Sequence, residues 1–425
     1  MGNLESYLRR HCEVTRRYFF GLGGAGVAAW GASPLAAASA EADPQLQDAA
    51  AKLEYLTPLE RGRYSDKGKA GVLTMPPENL REVGLVPETW SIEIVADTGS
   101  GSMVEQPLTR AQGNALDWKG LMALAEKHSV RCLHPCLCVN VDDPLHTSVW
   151  EGVPLHEIIW LAKPKANIRR VYYQSYHPEG VAPFQASLPL GQVLETPPGQ
   201  LPVVLGYKMN GQLIPASRGG PTRMIMAGAY GDKAIKWVNR IVLTNDFKAN
   251  DSDAADFNAD VETAMKTKAR FINAPKEIPA GKPAALTGFA LVGISGIEKV
   301  QYCVHSQVEP WPADDPYWTK ADWKDAAILP APTDWGGGMP GGKLPANTNR
   351  IDPAKGTPLE WPIRYTVAHW AVLLPALPPG NYDLCCRTID RNGIAQPMPR
   401  PLLRTGANSI HRVAMAVKGN STLAR

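Results

Sequence analysis

The sequence predicts an α+β domain followed by an all-β sandwich. Between residues 86 and 250, runs with the two-residue alternation of strands are interleaved with helix-spaced runs. From about residue 270 to 419 the helical spacing disappears, and strand-like runs are separated by Pro/Gly-rich loops. The 425 residues are 44% hydrophobic and 20% charged, enough apolar content to bury two or more cores.

Residues 1–40 read as a leader. Thr15-Arg16-Arg17-Tyr18-Phe19-Phe20 precedes a short, Gly-rich apolar run that ends at Ala38-Ser39-Ala40. Paired arginines, a weak apolar segment and a small-residue cleavage site resemble a twin-arginine export signal, so the mature chain is expected in the periplasm. GLGGAG from Gly21 to Gly26 fits the dinucleotide pattern, but it follows no strand and opens no βαβ unit. Residues 41–85 are polar and irregular and read as an extended arm.

In the first folded part, TWSIEIVAD alternates like a strand, LDWKGLMALAEKH has helical spacing and SVRCLHPCLCV is strand-like. The turn WEGVP leads into a short helix, LHEIIWLA. Further strands are expected at RRVYYQSY, LPVVLGYKM, TRMIMAG and VNRIVLTN, with turns at Asn210-Gly211 and Gly219-Gly220-Pro221. In the second part, PAALTGFALVG, IEKVQYCVHS, AHWAVLLPALPPGNYDLCCRTID and SIHRVAMAVKG read as sandwich strands. No repeat or transmembrane span is evident.

The formal net charge is +3, from 44 basic and 41 acidic residues dispersed along the chain. Without a basic stretch carrying interleaved aromatics, nucleic acid is not an expected partner. Of seven cysteines, Cys12 lies in the leader, while Cys132, Cys136 and Cys138 fall within seven residues and share parity. An extended backbone would send all three thiols to one side, a poor arrangement for disulfides between them, so at least one is expected to have other work. There is no CxxCH, no paired CxxC and no HExxH, so no haem and no structural zinc are expected in this chain.

Five motifs then occur in order. They are the cysteine run, Trp150-Glu151-Gly152-Val153-Pro154-Leu155, Tyr207-Lys208-Met209-Asn210-Gly211, Gly219-Gly220-Pro221-Thr222-Arg223, and Gly231-Asp232-Lys233-Ala234-Ile235-Lys236-Trp237. Together they resemble the sulfite oxidase family of mononuclear molybdenum enzymes. The tail, LTGFALVGISGIEKVQYCVHSQVEPW and PPGNYDLCCRTIDRNGIAQP, is similar to the immunoglobulin-like dimerisation domain that follows the molybdenum domain in many members. The resemblance implies a molybdopterin-binding domain over 86–250, a dimerisation sandwich over 270–419, and one molybdenum with molybdopterin per chain.

It also implies the site. One cysteine thiolate, a soft ligand suited to this metal, would bind molybdenum; Cys136 is the candidate, with Cys132 and Cys138 as alternatives. Arg223 and Lys236 would bind the cofactor phosphate through charge-assisted hydrogen bonds, and Gly231 would allow close backbone approach. Ser175 stands at a threonine site near the pterin, and Ala234 and Ile235 at a backbone contact. Arg218 departs from the histidine usual in sulfite oxidases and is expected to face the cofactor; Arg218, with Arg131 or Lys233, would draw an anion inward. Phe184 replaces a tyrosine beside the metal and cannot donate its hydroxyl hydrogen bond; Gln185, Tyr176 or His177 are candidate substitutes.

The resemblance implies an exported oxidoreductase that transfers an oxygen atom to or from a small sulfur compound, passing electrons to a separate cytochrome c or haem-containing subunit, and working as a homodimer. The alternatives are a molybdopterin-dependent sulfoxide reductase and a non-catalytic binding or assembly subunit that retains the fold.

Overall fold

The structure is a computed structural model that describes residues 43–61, 79–139, 141–197, 199–252, 262, 264–311, 313–315, 318–397, 406 and 408–419. The expected leader at 1–40 lies outside these residues. The first element corrects the expectation of an irregular arm, since α1 spans Pro44–Ala51. Asp43 caps it by accepting from the Gln45 and Leu46 amides, and Pro44 supplies a preset φ at the first turn. Residues 52–61 then run without helix or strand.

The first domain contains β1 (Ser91–Ala96), β2 (Leu116–Asp117), α2 (Trp118–His128), β3 (Val130–Cys136), β4 (His146–Pro154), α3 (Leu155–Trp160), β5 (Arg170–Ser175), β6 (Gln185–Pro189), α4 (Leu190–Leu194), β7 (Val204–Met209), β8 (Gln212–Leu213), β9 (Arg223–Ile225) and β10 (Val238–Thr244). The predicted strands and helices of this region are all present. Asp117 caps α2 by accepting from the Gly120 amide, and Lys127 and His128 occupy its last turn, where cations suit the helix dipole. One sheet runs β2-β1-β10-β5-β6, and the other runs β3-β4-β7-β8 with β9 paired to β7. Trp90, Ile92, Leu121, Val153, Ile158, Tyr173 and Ile241 share the main core of this domain.

The second domain contains β11 (Lys268–Asn273), β12 (Glu277–Pro279), β13 (Ala284–Leu291), β14 (Lys299–Ser306), β15 (Lys324–Ile328), β16 (Val367–Leu374), β17 (Gly380–Ile389) and β18 (His411–Lys418). They hydrogen-bond in the order β11-β13-β16-β15-β14-β17-β18-β12, and β11 packs back against β17 and β18, closing a sandwich over Leu286, Trp370, Leu384 and Met415. Cys303 and Cys385 face each other in register, and none of the six described cysteines forms a disulfide.

A further core joins the domains. Tyr55 and Leu56 of the arm meet Leu133, Leu137 and Val149 of the first domain and Phe289, Trp335 and Val367 of the second. The Tyr55 ring lies 5.0 Å from Trp335 and 5.0 Å from His369, edge-on to both, and its hydroxyl donates to the Val367 carbonyl.

Candidate active site

Strand β3 places the candidate thiol. Its alternation sends Leu133 into the interdomain core and Cys132 to the opposite face, with Trp150, Met209 and Ile225. Cys136 ends the strand on the Cys132 parity and is 3% exposed. The three thiols do not share one side. Cys138 lies past the strand end and packs against the interdomain core, because the chain leaves the extended geometry after Cys136. Burial pushes the Cys132 thiol up to about 12, which keeps it protonated.

Three cations gather at Cys136. Arg223, 4% exposed on β9, donates to Cys136 Sγ at 3.0 Å, to the Ala234 carbonyl at 3.0 Å and to the Arg218 carbonyl at 3.1 Å. Its guanidinium lies over the Trp150 ring at 5.6 Å. Arg218 ends the short 3₁₀ turn Ala216–Arg218 and is also buried. Its Nε and Nη2 donate to the Leu59 carbonyl at 2.9 and 2.8 Å, and Nη2 also reaches the Arg61 carbonyl. Lys236 Nζ donates to the Ser217 carbonyl at 3.1 Å. Burial first, then the Arg223 charge, holds its ammonium down at about 8. Burial and Arg223 likewise lower Arg218, while Cys136 acts in the opposite sense.

Gly219 makes the close crossing with Lys236 possible, and Gly231 lies beside the thiol. A Cβ on Gly219, at φ 96°, would sit 2.4 Å from Lys236 Cγ, so only glycine fits that crossing. The Gly231 amide donates to the Leu137 carbonyl at 2.6 Å, and a Cβ there would come within 3.7 Å of Cys136 Sγ. Asn210, in the turn after β7, receives the Val149 amide and donates to the carbonyls of Thr57 and Gly337, which ties the sheet under Cys136 to the arm and to the second domain.

Of the residues expected at the site, Cys136, Arg218, Arg223, Ala234 and Lys236 come together. Ile235 is buried beside them, its carbonyl accepting from the Met224 amide. Ser175 is buried at the end of β5 opposite Val238, just past the Lys236 segment, but contributes no contact to the cation cluster among the described hydrogen bonds. Phe184 is 41% exposed, and its carbonyl accepts from the Ser175 amide. His177 Nδ1 lies 3.3 Å from the Ser175 carbonyl, and Gln185 accepts from Gln174. Two expectations are overturned. Lys233 is 3% exposed and committed to Asp251 at 2.7 Å and the Ser187 carbonyl at 2.7 Å. Arg131 is held by Glu151 at 2.6 Å and the Ala346 carbonyl at 3.0 Å. Neither is available to draw an anion to Cys136.

Sequence reasoning missed four contributors. The carbonyls of Leu59 and Arg61 carry no side-chain signal. His146 faces Cys136 across β3 and β4, a register that no local pattern reveals. His134 was legible, since it shares the parity of Cys132 and Cys136.

A buried thiol under two guanidiniums and an ammonium, beside glycine backbone, forms a centre whose charge suits an anionic group. Comparison with known proteins agrees. Residues 80–251 match the oxidoreductase molybdopterin binding domain. Mitochondrial sulfite oxidase of Macaca fascicularis is 38% identical over 102 residues, 23% of this chain and 18% of that protein. The NADPH nitrate reductase of Fusarium oxysporum is 29% identical over 102 residues, 24% of this chain and 11% of that protein. The chain thus spans about a tenth to a fifth of the length of these curated relatives. Among solved structures, the sulfane dehydrogenase SoxCD from Paracoccus pantotrophus superposes with a TM-score of 0.56 at 15% identity, covering 86% of this chain and 84% of that one, a likeness of fold. Residues 80–251 thus form an oxidoreductase molybdopterin binding domain similar to that of sulfite oxidases.

Proposed function

We propose that this chain is an exported, molybdopterin-dependent oxidoreductase that oxidises a small sulfur compound in the manner of a sulfite dehydrogenase, passing electrons to an external cytochrome. The observation that carries the reading is the pairing of buried Cys136 with Arg223, Arg218 and Lys236. The residues fit the cofactor: a thiol to ligate molybdenum, cations for a phosphate, and a Gly231 backbone whose missing Cβ leaves the approach to Sγ open. The sulfite oxidases among its relatives, and the sulfane dehydrogenase of like fold, are named for sulfur substrates, which favours that class.

When bound, the cofactor supplies two-electron oxygen-atom transfer. The chain's own residues position and exclude. Arg223 orients the Cys136 thiol through its Sγ contact and buttresses the 218–234 loop through two carbonyls. Arg218, fixed by the arm, adds positive potential where an oxyanion would approach. Arg223 and Trp150 wall the thiol from solvent. Export through the 1–40 leader, a periplasmic location and a homodimer formed through the sandwich complete the proposal.

Metal analysis of protein matured in molybdenum-replete cells, with and without Cys136→Ser, tests it. About one molybdenum per chain and sulfite-dependent cytochrome c reduction are expected, both lost in the serine variant. Absence of molybdenum from the unaltered protein, or sulfoxide-dependent dye oxidation without sulfite oxidation, refutes the reading.

A further inference from the structure

His134 and His146 are buried imidazoles beside Cys136 that the chemistry above leaves without a task. They are 1% and 2% exposed. His134 stands two residues before Cys136 on β3, and His146 directly opposite Cys136 on β4. Residues two apart on a strand project the same way, and directly opposed residues are nearest neighbours, so both rings share the Cys136 face. His146 Nδ1 lies 3.4 Å from Ser148 Oγ, and its ring tilts against Trp150 at 5.5 Å. His134 Nδ1 is buried and has no hydrogen-bond partner among the described residues. A buried imidazole nitrogen left unpaired is costly, which reserves that position for a group absent from the protein itself.

Arg218, Arg223 and Lys236 can donate and cannot accept. An imidazole that is uncharged differs, carrying one N–H and one lone pair. Such a pair matches the edge of a heterocycle that alternates N–H donors with carbonyl and ring-nitrogen acceptors, as a pterin does, better than it matches a phosphate or a sulfur oxyanion.

We infer that His134 and His146 are positioning residues for the organic part of the cofactor, hydrogen-bonding pterin heteroatoms and so setting the group against Cys136. This rests on the molybdopterin reading above.

The test uses His134→Leu and His146→Leu, with His134→Gln and His146→Gln as variants that keep a donor and an acceptor. Each is purified from molybdenum-replete cells, and pterin per chain, molybdenum per chain and the rate of pterin release after dilution are measured, alongside the melting temperature of pterin-free protein. Release about tenfold faster in each leucine variant is expected, the size of one lost hydrogen bond to a bound group, with the glutamine variants close to the unaltered protein. Unchanged release in both leucine variants overturns the inference. So does faster release that only tracks a lower melting temperature and is shared by the glutamine variants, because that marks a packing role. Unaltered protein that carries no pterin defeats the cofactor reading itself, a result distinguishable from either.

Discussion

Arg223 spends its guanidinium on three acceptors of different kinds: a thiol sulfur, the carbonyl of Ala234 and the carbonyl of Arg218. Its planar, forked donor set lets one residue orient the candidate ligand and brace the loop that carries the other cations. Lysine offers a point charge and cannot repeat that geometry. Arg223→Lys is therefore expected to lower bound molybdenum about tenfold, the scale of a lost charge-assisted hydrogen bond, while far-ultraviolet circular dichroism stays unchanged. Full molybdenum content in that variant would contradict the role given to Arg223. Five of the site residues were legible in the sequence because each sits in a short motif with its glycine or its strand beside it. Phe184 was singled out by the same logic, yet its side chain is 41% exposed. Alternation along a strand tells which residues share a side, whereas the cover over that side comes from distant chain.

Strand β3 and the arm show how elements divide the work. The parity of Cys132 and Cys136 was readable, but where the strand ends was not, and that end point sends Cys138 to the other core. The arm, read from its polar composition as irregular, begins as a capped helix and then inserts Tyr55 and Leu56 between the domains. Asn210 links it to the sheet: it accepts from Val149 and donates to Thr57 and Gly337. Asn210→Ala strands a buried amide and two buried carbonyls, at a position with φ 50° that asparagine tolerates better than alanine. A loss of about 2–4 kcal/mol is expected from urea unfolding, since each unmet buried group costs about 1–3 kcal/mol and the arm can relax in part. A change within experimental error would show that the arm is held by its apolar contacts alone.

The two domains share one apolar seam and a set of buried imidazoles. Burial holds His134 and His369 near 3 and His411 near 4, and His146 lies well below its usual range. Unfolded, each would protonate below about pH 6.5, so the unfolded chain binds more protons than the native one, and stability falls with pH through that window. Cofactor-free protein is expected to lose stability steadily between about pH 6.5 and 4.5, above the range of most carboxylates, with an uptake on unfolding of up to about four protons. Urea midpoints that stay flat across that range would show that these rings are hydrated or charged in the native state.

The order of motifs, the switch from mixed α/β texture to strands alone, and the parity of the cysteine run were all written in local sequence, because periodicity and turn chemistry act over a few residues. Tertiary structure alone decided which thiol meets Arg223, that Lys233 and Arg131 are consumed by carboxylates, and that the arm's carbonyls hold Arg218. Those outcomes depend on pairings between residues tens to hundreds of positions apart, such as Cys136 with Arg223 and Arg218 with Leu59. The cysteine cluster named the centre, and long-range packing set Arg223 against Cys136.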